Sequence, residues 1–239
     1  MLKFECASRS FEIRPLPALA CLVVIALTLS AARWQTARAH YKQSLSDAYQ
    51  ANQNAPVRVL SPGTPDMPDE FSRVSLTGHW RSDWLIYADN QVRSGRPGFA
   101  IFMPLCAASG CVLVSRGWLP QRTRRDELPP VKTPTDEVTV EGRVGNGRPR
   151  FVELSPESMQ GRVWQNVTVD RVAAVSGLVL SPFIVVRSDP SDDGLLRDTA
   201  EPDFGIDKHW MYAVQWYGFA IVTLVFGLYA AMRKKGGSA

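Results

Sequence analysis

The segment HWMYAVQWYGFAIVTLVFGLYAAM, residues 209–232, decides how the rest of the chain is arranged. It contains no Asp, Glu, Lys or Arg, and it is longer than the about 20 residues with which a helix crosses the hydrocarbon core of a bilayer. A second apolar segment, LPALACLVVIALTLSAA, occupies residues 16–32 and approaches that length. The sequence therefore predicts a membrane protein with two transmembrane helices, 16–32 and 209–232, flanking a central domain.

The first apolar segment has a second interpretation. Its basic N-terminal flank and its LSAA ending also resemble a secretory signal peptide with a small-residue cleavage site. The apolar run of residues 16–32 exceeds the about 7–15 residues of a signal core, so a retained anchor is favoured. Glu5 and Glu12 break the acid-poor pattern of mitochondrial presequences, which favours a bacterial inner membrane.

Basic residues indicate the orientation of the two helices. The tail 233–239 begins with Arg-Lys-Lys directly after the second segment, and such residues concentrate on the cytoplasmic side. Two spans then return the N-terminus, residues 1–15, to the cytoplasm, and residues 33–208 are expected in the periplasm. A weaker, opposite signal comes from basic residues that follow the first segment: Arg33, Arg38 and Lys42.

Residues 33–208 change from helical to strand patterning. The stretch after residue 32 has no Gly or Pro up to Gln53 and is expected to continue the first helix, whereas four prolines and a Gly predict a linker over 55–68. Seven short segments rich in Val, Ile, Phe and Trp then predict a mainly antiparallel β (α+β) domain, as a sheet or a small barrel. These segments are RVSLTGHW (73–80), DWLIYADNQV (83–92), GFAIFMPLC (98–106), CVLVSRGWLP (111–120), EVTVEGRVG (137–145), RVWQNVTV (162–169) and LVLSPFIVVRSD (178–189).

Two further segments complete the central domain. DRVAAVSG, residues 170–177, predicts one short helix. The acidic, turn-rich stretch 190–205 predicts a flexible tether to the second span.

Composition and motifs argue against several function classes. The net charge is +4 and the basic residues form no long run, which argues against a nucleic-acid partner. His40, His79 and His209 fall on three different predicted elements, and the zinc, nucleophile-elbow, phosphate-loop and haem-attachment motifs are absent from the sequence. We therefore expect no enzymatic activity.

Cys106 and Cys111 flank the turn AASG, so a hairpin would place them opposite each other. In an oxidising compartment such a pair favours a disulfide. Free thiols and a Cu(I) site are the alternatives, because thiolates suit Cu(I). The turn contains no His or Met that would complete a copper site.

Trp118 continues the strand that contains Val112 and Val114. Side chains alternate along a strand, so its ring is expected to share their face and to be buried. On this interpretation Trp118 has a structural role, and a surface that binds a partner is the alternative.

One face of the second span carries an unusual set of side chains. His209, Tyr212 and Trp216 recur at helical spacing with two alanines, Ala213 and Ala220. Interfacial Trp, Tyr and Lys are common at the ends of spans, so an interfacial histidine is one interpretation. The other is a flat macrocycle that lies against the alanines with its iron on His209. The residues alone favour the interfacial interpretation.

The order of motifs resembles the Surfeit-locus protein 1 family, the membrane assembly factors of cytochrome c oxidase. RWQTARAHYK is similar to the family's signature after the first span, VLVSRGWLP to its most recognisable strand, and KHWMYAVQWYGFA to the start of its last span. VSLTGHW, GFAIFMPL and VTVEGRV resemble further family blocks in the same order. Besides the histidine, the motif positions, whose roles the resemblance leaves open, are Trp34, Gln35, Arg38, Asn90, Arg116, Gly117 and Trp118.

The resemblance implies a non-enzymatic factor that binds haem a and aids its insertion into oxidase subunit I. Bacterial members are similar to haem-a-binding proteins whose axial ligand is the second-span histidine, which is His209 here, with Tyr212 and Trp216 beside the cofactor. Haem A synthase is a second implied partner. A scaffold that stabilises subunit I without touching haem is the alternative, and a membrane-tethered enzyme lacks any visible catalytic set.

Overall fold

The computed structural model describes residues 2–6, 9–122, 127–149, 159–197 and 202–234. It divides into two units, one formed by Met1–Asp47 with Pro202–Ala239 and the other by Ala48–Glu201. The helices are α1 (Pro15–Gln53), α2 (Val169–Ser176) and α3 (Ile206–Ala231). The strands are β1 (Leu2–Cys6), β2 (Arg9–Ile13), β3 (Arg58–Leu60), β4 (Arg73–Trp80), β5 (Ile86–Arg93), β6 (Arg96–Ala107), β7 (Gly110–Pro120), β8 (Val138–Gly145), β9 (Met159–Gln160), β10 (Val163–Trp164), β11 (Leu180–Arg187) and β12 (Met232–Lys234).

The first unit is built on α1 and α3, and both are long and apolar enough to cross a membrane. Most large apolar side chains on them are exposed, as expected of helices whose outer faces contact lipid. The buried positions are small residues on one face of each helix, where α1 and α3 face each other. They are Thr28, Ala32, Ala39 and Ser46 on α1, and Ala213 and Ala220 on α3.

The two ends of this unit meet in a small antiparallel sheet. β2 pairs with β1 on one side and with β12 on the other, and Met232 lies opposite Phe11. The backbone before α1 and the backbone after α3 therefore lie together. Residues 1, 7–8 and 235–239 of the predicted cytoplasmic ends lie outside the described residues.

The second unit is a β-rich domain that contains a closed circuit of strands. Its sheet has the order β3-β4-β8-β11-β7-β6-β5-β10-β9, and β4 also pairs with β6 through His79–Cys106 and Trp80–Leu105. This last pairing closes β4, β8, β11, β7 and β6 into a five-stranded barrel, which abolishes the free edges of those strands. Most pairs are antiparallel, and β3–β4, β7–β11 and β5–β10 are parallel. The prediction of a β-rich domain between two apolar helices is confirmed.

Two sheet segments depart from the sequence predictions. The predicted linker 55–68 contributes β3 to the sheet, and Pro62 and Pro68 are buried. The predicted strand 162–169 is paired only at Val163–Trp164 and then leads into α2. Thr168 caps α2 by accepting a hydrogen bond from the Arg171 amide, so its helix-capping preference wins over the β-branched pattern.

The segment 190–197 is packed into the domain instead of forming a flexible tether. Asp193 and Leu195 are buried, and Leu196 forms a backbone bridge with Trp118 of β7. The prediction of a tether is therefore wrong for this part. Leu195 joins the apolar core, and the Asp193 carboxylate forms an ion pair with a buried arginine. Residues 198–201 lie outside the described residues.

A β-bulge in β7 changes the side-chain alternation on which the prediction for Trp118 rested. Gly117 lies opposite Ile101 and Ser115 opposite Phe102, so Arg116 is the extra residue. Trp118 is buried as predicted, with 9% of its surface exposed. The predicted face is wrong, because the extra residue moves the ring to the side opposite Val112 and Val114.

Candidate functional site

The site around His209 begins with a hydrogen bond between the two apolar helices. His209 Nδ1 lies 2.8 Å from Oε1 of Gln35, which is 174 residues away in the chain. Both side chains are half-buried. Ala32 and Ala39 on α1 are fully buried and Ala213 on α3 is 1% exposed, so packed small residues surround this polar contact.

The hydrogen bond leaves one ring nitrogen available as a ligand. An amide oxygen only accepts, so in the neutral imidazole Nδ1 carries the proton and Nε2 keeps its lone pair. Among the described residues His209 has no hydrogen-bond partner other than Gln35. A neutral nitrogen with a lone pair is the donor that haem iron takes from histidine, so His209 fits an axial ligand.

The predicted stripe is divided between two environments. Ala213 and Ala220 are buried at 1% and 6% exposure, whereas Tyr212 is 47% exposed. A macrocycle therefore cannot lie flat on the alanines while the two helices are packed, because α1 covers that face. The open part of the stripe contains Tyr212 and Trp216. Together with Phe219 they form an aromatic flank, in which the ring centres of Trp216 and Phe219 are 5.7 Å apart.

His40, the other histidine of this unit, is engaged differently. Its ring packs edge-on against Trp210 with 5.2 Å between centroids. His79 belongs to the barrel, where it lies opposite Cys106 at the closing pair of β4 and β6. Within the described ranges no group of three or more His, Cys, Asp or Glu is placed to hold a metal ion.

An apolar groove of about 580 Å³ runs between the helices at the other end of the unit, lined by residues between 14 and 25 of α1 and between 223 and 231 of α3. Thr223 is 14 positions after His209, and a helix rises about 1.5 Å per residue, so about 20 Å separates them. A ring held by His209 would therefore not occupy this groove.

The remaining family-motif residues of α1 point outward. Trp34 is 62% exposed, and Arg38 is exposed with its guanidinium 5.1 Å from the Tyr41 ring centre. Among the described residues neither forms a hydrogen bond or ring contact with His209, so of the Trp-Gln-Arg motif only Gln35 joins the site. Exposed aromatic and cationic side chains at the edge of an apolar helix suit a membrane surface or a protein partner.

Arg116 of the RGW motif lies inside the barrel and is fully buried. Its guanidinium donates to Thr133 Oγ1 at 2.7 Å and to the Lys132 carbonyl at 2.8 Å, and it lies 4.6 Å from the Trp80 ring centre. The counter-charge is Asp193, whose Oδ2 is 3.4 Å from Arg116 Nη2. These contacts give Arg116 a structural role.

Asp193 is the residue of this domain that sequence reasoning missed. Its Oδ2 also accepts hydrogen bonds from Arg187 and Arg197, and its Oδ1 accepts one from the Leu195 amide. Burial alone would raise the pKa of Asp193, but these hydrogen bonds and the nearby positive charges lower it below its ordinary value. The available signal was the apolar pair Leu195-Leu196 inside an otherwise polar segment.

Gly117, Trp118 and Asn90 shape one region of the sheet, on β7 and β5. Gly117 has φ 143°, and a Cβ there would lie 2.8 Å from the Leu196 carbonyl oxygen, so the bulge requires glycine. Trp118 donates its ring N–H to the Gln91 carbonyl at 2.9 Å. Asn90, at φ 59°, forms the turn of the β5 irregularity beside Gln91. All three residues therefore serve the fold.

The Cys106–Cys111 pair is a disulfide in the structure. The two residues are direct cross-strand partners of β6 and β7, with their Cα atoms 4.0 Å apart. Ser109 Oγ in the connecting turn donates to the Pro62 carbonyl at 2.6 Å. The pair therefore closes a hairpin tip that is already anchored to the segment before β4.

A β-rich domain between two helices that are long and apolar enough to cross a membrane defines a membrane-associated class of protein. The chain belongs to the SURF1 family, whose family model matches residues 22–221. This family is associated with cytochrome c oxidase assembly and is not typically enzymatic, and its role fits a partner of oxidase-subunit type. A comparison with curated proteins found no match to the chain.

Proposed function

We propose that this protein binds haem a through His209 and aids its insertion into subunit I of cytochrome c oxidase. The observation that carries the proposal is the contact between His209 Nδ1 and Gln35, because it leaves Nε2 as a neutral donor at the side of an apolar helix pair. Tyr212 and Trp216 would contact the ring from the aromatic flank of α3. The bound group would supply a redox-active iron, which the protein carries without using it for catalysis.

The proposal includes a location. The protein lies in a bacterial inner membrane as a multi-pass protein, with its β-rich domain in the periplasm. The pairing of β2 with β12 supports two ends on one side of the bilayer, and the basic tail favours the cytoplasmic side. Subunit I is the proposed recipient of haem, and haem A synthase is the proposed donor.

The test compares the wild type with His209→Ala, purified at equal yield in detergent from cells that synthesise haem a. The wild type is expected to carry a Soret band, and the variant is expected to have a weakened or shifted band while it still inserts into the membrane. His40→Ala is the matched control, because it removes the other imidazole of the helix pair and should leave the spectrum unchanged. Identical spectra and haem content for wild type and His209→Ala would refute ligation by His209.

One observation favours a scaffold that never touches haem. The alanine face of α3 is already covered by α1, so this face is packed without a cofactor. A scaffold of this kind would stabilise subunit I through its exposed apolar faces, and the purified protein would be colourless. In that case His209→Ala would leave oxidase assembly intact, whereas exposed positions such as Trp34 would be sensitive.

A further inference from the structure

Gln35 is the polar side chain of α1 that reaches His209. Its neighbours one helical turn before and after, Ala32 and Ala39, are fully buried. Gln35 therefore lies on the face of α1 that packs on α3, and from there its side-chain amide reaches His209.

The chemistry of this contact selects one form of the histidine. A free neutral imidazole exchanges between two tautomers, with the proton on Nδ1 or on Nε2. An acceptor 2.8 Å from Nδ1 stabilises the form with the proton on Nδ1. The Nε2 lone pair then points away from Gln35, and the hydrogen bond also restricts rotation of the ring.

We propose that Gln35 is a positioning residue: it holds His209 in the Nδ1-protonated tautomer so that Nε2 is the nitrogen offered to iron. The role toward iron rests on the proposed haem function, whereas the tautomer is a property of the haem-free protein. When a histidine binds a metal through one ring nitrogen, a hydrogen bond donated by the other ring nitrogen makes the metal-binding nitrogen more basic. Gln35 thus sets the tautomer of His209 before a cofactor binds.

The first arm of the test uses the full chain without haem, labelled with ¹⁵N-histidine in detergent. The chain has three histidines, so the signals of His209 can be assigned by their loss in His209→Ala. The ¹⁵N shifts of wild-type His209 are expected to show a protonated Nδ1 and an unprotonated Nε2. Gln35→Leu is expected to move the population toward the Nε2-protonated form, whereas Gln35→Glu keeps an acceptor and should keep the wild-type tautomer.

Gln43→Leu is the matched control for the loss of a glutamine. Gln43 is an exposed residue of the same helix and donates to Asp47 at 2.9 Å. Its replacement should leave the His209 signals unchanged. An unchanged tautomer in Gln35→Leu would overturn the positioning role, whether or not the protein binds haem.

The second arm titrates the same variants with ferric haem a. Loss of the hydrogen-bond partner of a metal-ligating histidine typically weakens binding by about 10–100-fold, and this is the range expected for Gln35→Leu. Gln35→Glu should bind like the wild type. If the wild type binds no haem while the tautomer still responds to Gln35→Leu, the proposed function fails and the contact is a packing device. If wild type and Gln35→Leu bind equally, Gln35 has no role toward iron.

Discussion

The carboxylate of Asp193 lies 3.4 Å from the guanidinium of Arg116, and both side chains are at least 96% removed from solvent. Arg187 and Arg197 contact the same carboxylate oxygen, so one anion balances a buried cluster of cations. Asp189 assists by pairing with Arg187. The barrel therefore depends on a charge that the sequence places in an acidic, turn-rich segment.

The first prediction is that Asp193→Asn destabilises the protein strongly. Removing one partner of a buried ion pair typically costs about 3–5 kcal/mol, because the remaining charge stays buried and uncompensated. Guanidinium titration of the full chain in detergent, followed by tryptophan fluorescence, measures the loss. Asp192→Asn is the control, since Asp192 is fully exposed, pairs with Lys132 at the surface and should change stability by less than about 1 kcal/mol. Equal effects of the two substitutions would contradict the buried network.

The second prediction concerns the stability of the folded protein at acidic pH. The pKa of Asp193 is lowered in the folded state because hydrogen bonds and positive charges outweigh the effect of burial. A carboxyl whose pKa is lowered by folding stabilises the protein fully when the pH is above the pKa of the unfolded state, about 3.9. This stabilisation is lost as the pH falls through the lower pKa of the folded state. The denaturant midpoint of the wild type should therefore fall steeply below about pH 4. Asp193→Asn should show a shallower slope, and a slope equal to that of the wild type would rule out this cause.

The third prediction separates two tryptophans of the family motifs. Trp118 is buried and hydrogen-bonded, so Trp118→Ala should cost about 3–5 kcal/mol and lower the amount of protein in the membrane. Trp34 is 62% exposed, so Trp34→Ala should leave the amount unchanged. Immunoblots of membranes measure the amount of each variant, and the haem content of the oxidase is measured in the same membranes. Normal accumulation of Trp118→Ala with loss of oxidase would instead assign Trp118 to a binding surface.

Gly98 explains why the Trp118 ring can occupy the outer side of the barrel wall. A Cβ on Gly98 would lie 2.4 Å from the ring, so only glycine leaves room for it. The sequence could predict that Trp118 is buried, because a large apolar residue in a strand usually is. It could not predict the face, because the extra residue at Arg116 is visible only once β6 and β7 are in register.

The candidate site also has features that the sequence could predict and features that it could not. Composition and length alone indicate the two apolar helices, and the histidine at the start of the second is visible in the sequence. The partner of that histidine is not visible, since Gln35 is 174 residues away and only the packing of α1 on α3 brings the two together. Asp193 is missed for a similar reason: its buried partner Arg116 on β7 is 77 residues away in the chain.

The fourth prediction is that Cys106 and Cys111 are linked in the mature protein. Mass spectrometry of non-reduced peptides should find them joined, because they are direct cross-strand partners. Replacing both with Ser should cost less than the about 3 kcal/mol expected for a 15-residue ring, because this ring is much smaller. Haem content should be unchanged, since the pair belongs to the β-rich domain and His209 belongs to the helix pair. Quantitative alkylation of both thiols in freshly isolated membranes would contradict the prediction.

The last prediction is that both ends of the chain are cytoplasmic. β12 pairs with β2, with Arg233 opposite Ser10, so the two ends must lie on the same side of any bilayer that α1 and α3 cross. Basic residues then choose the cytoplasmic side, because they are retained there during insertion. A reporter that is active only after export should stay silent when fused after Gly236, and it should be active when fused after Gly205, before α3 begins. Export activity from the Gly236 fusion would reverse the orientation, and it would place both the β-rich domain and His209 on the cytoplasmic side.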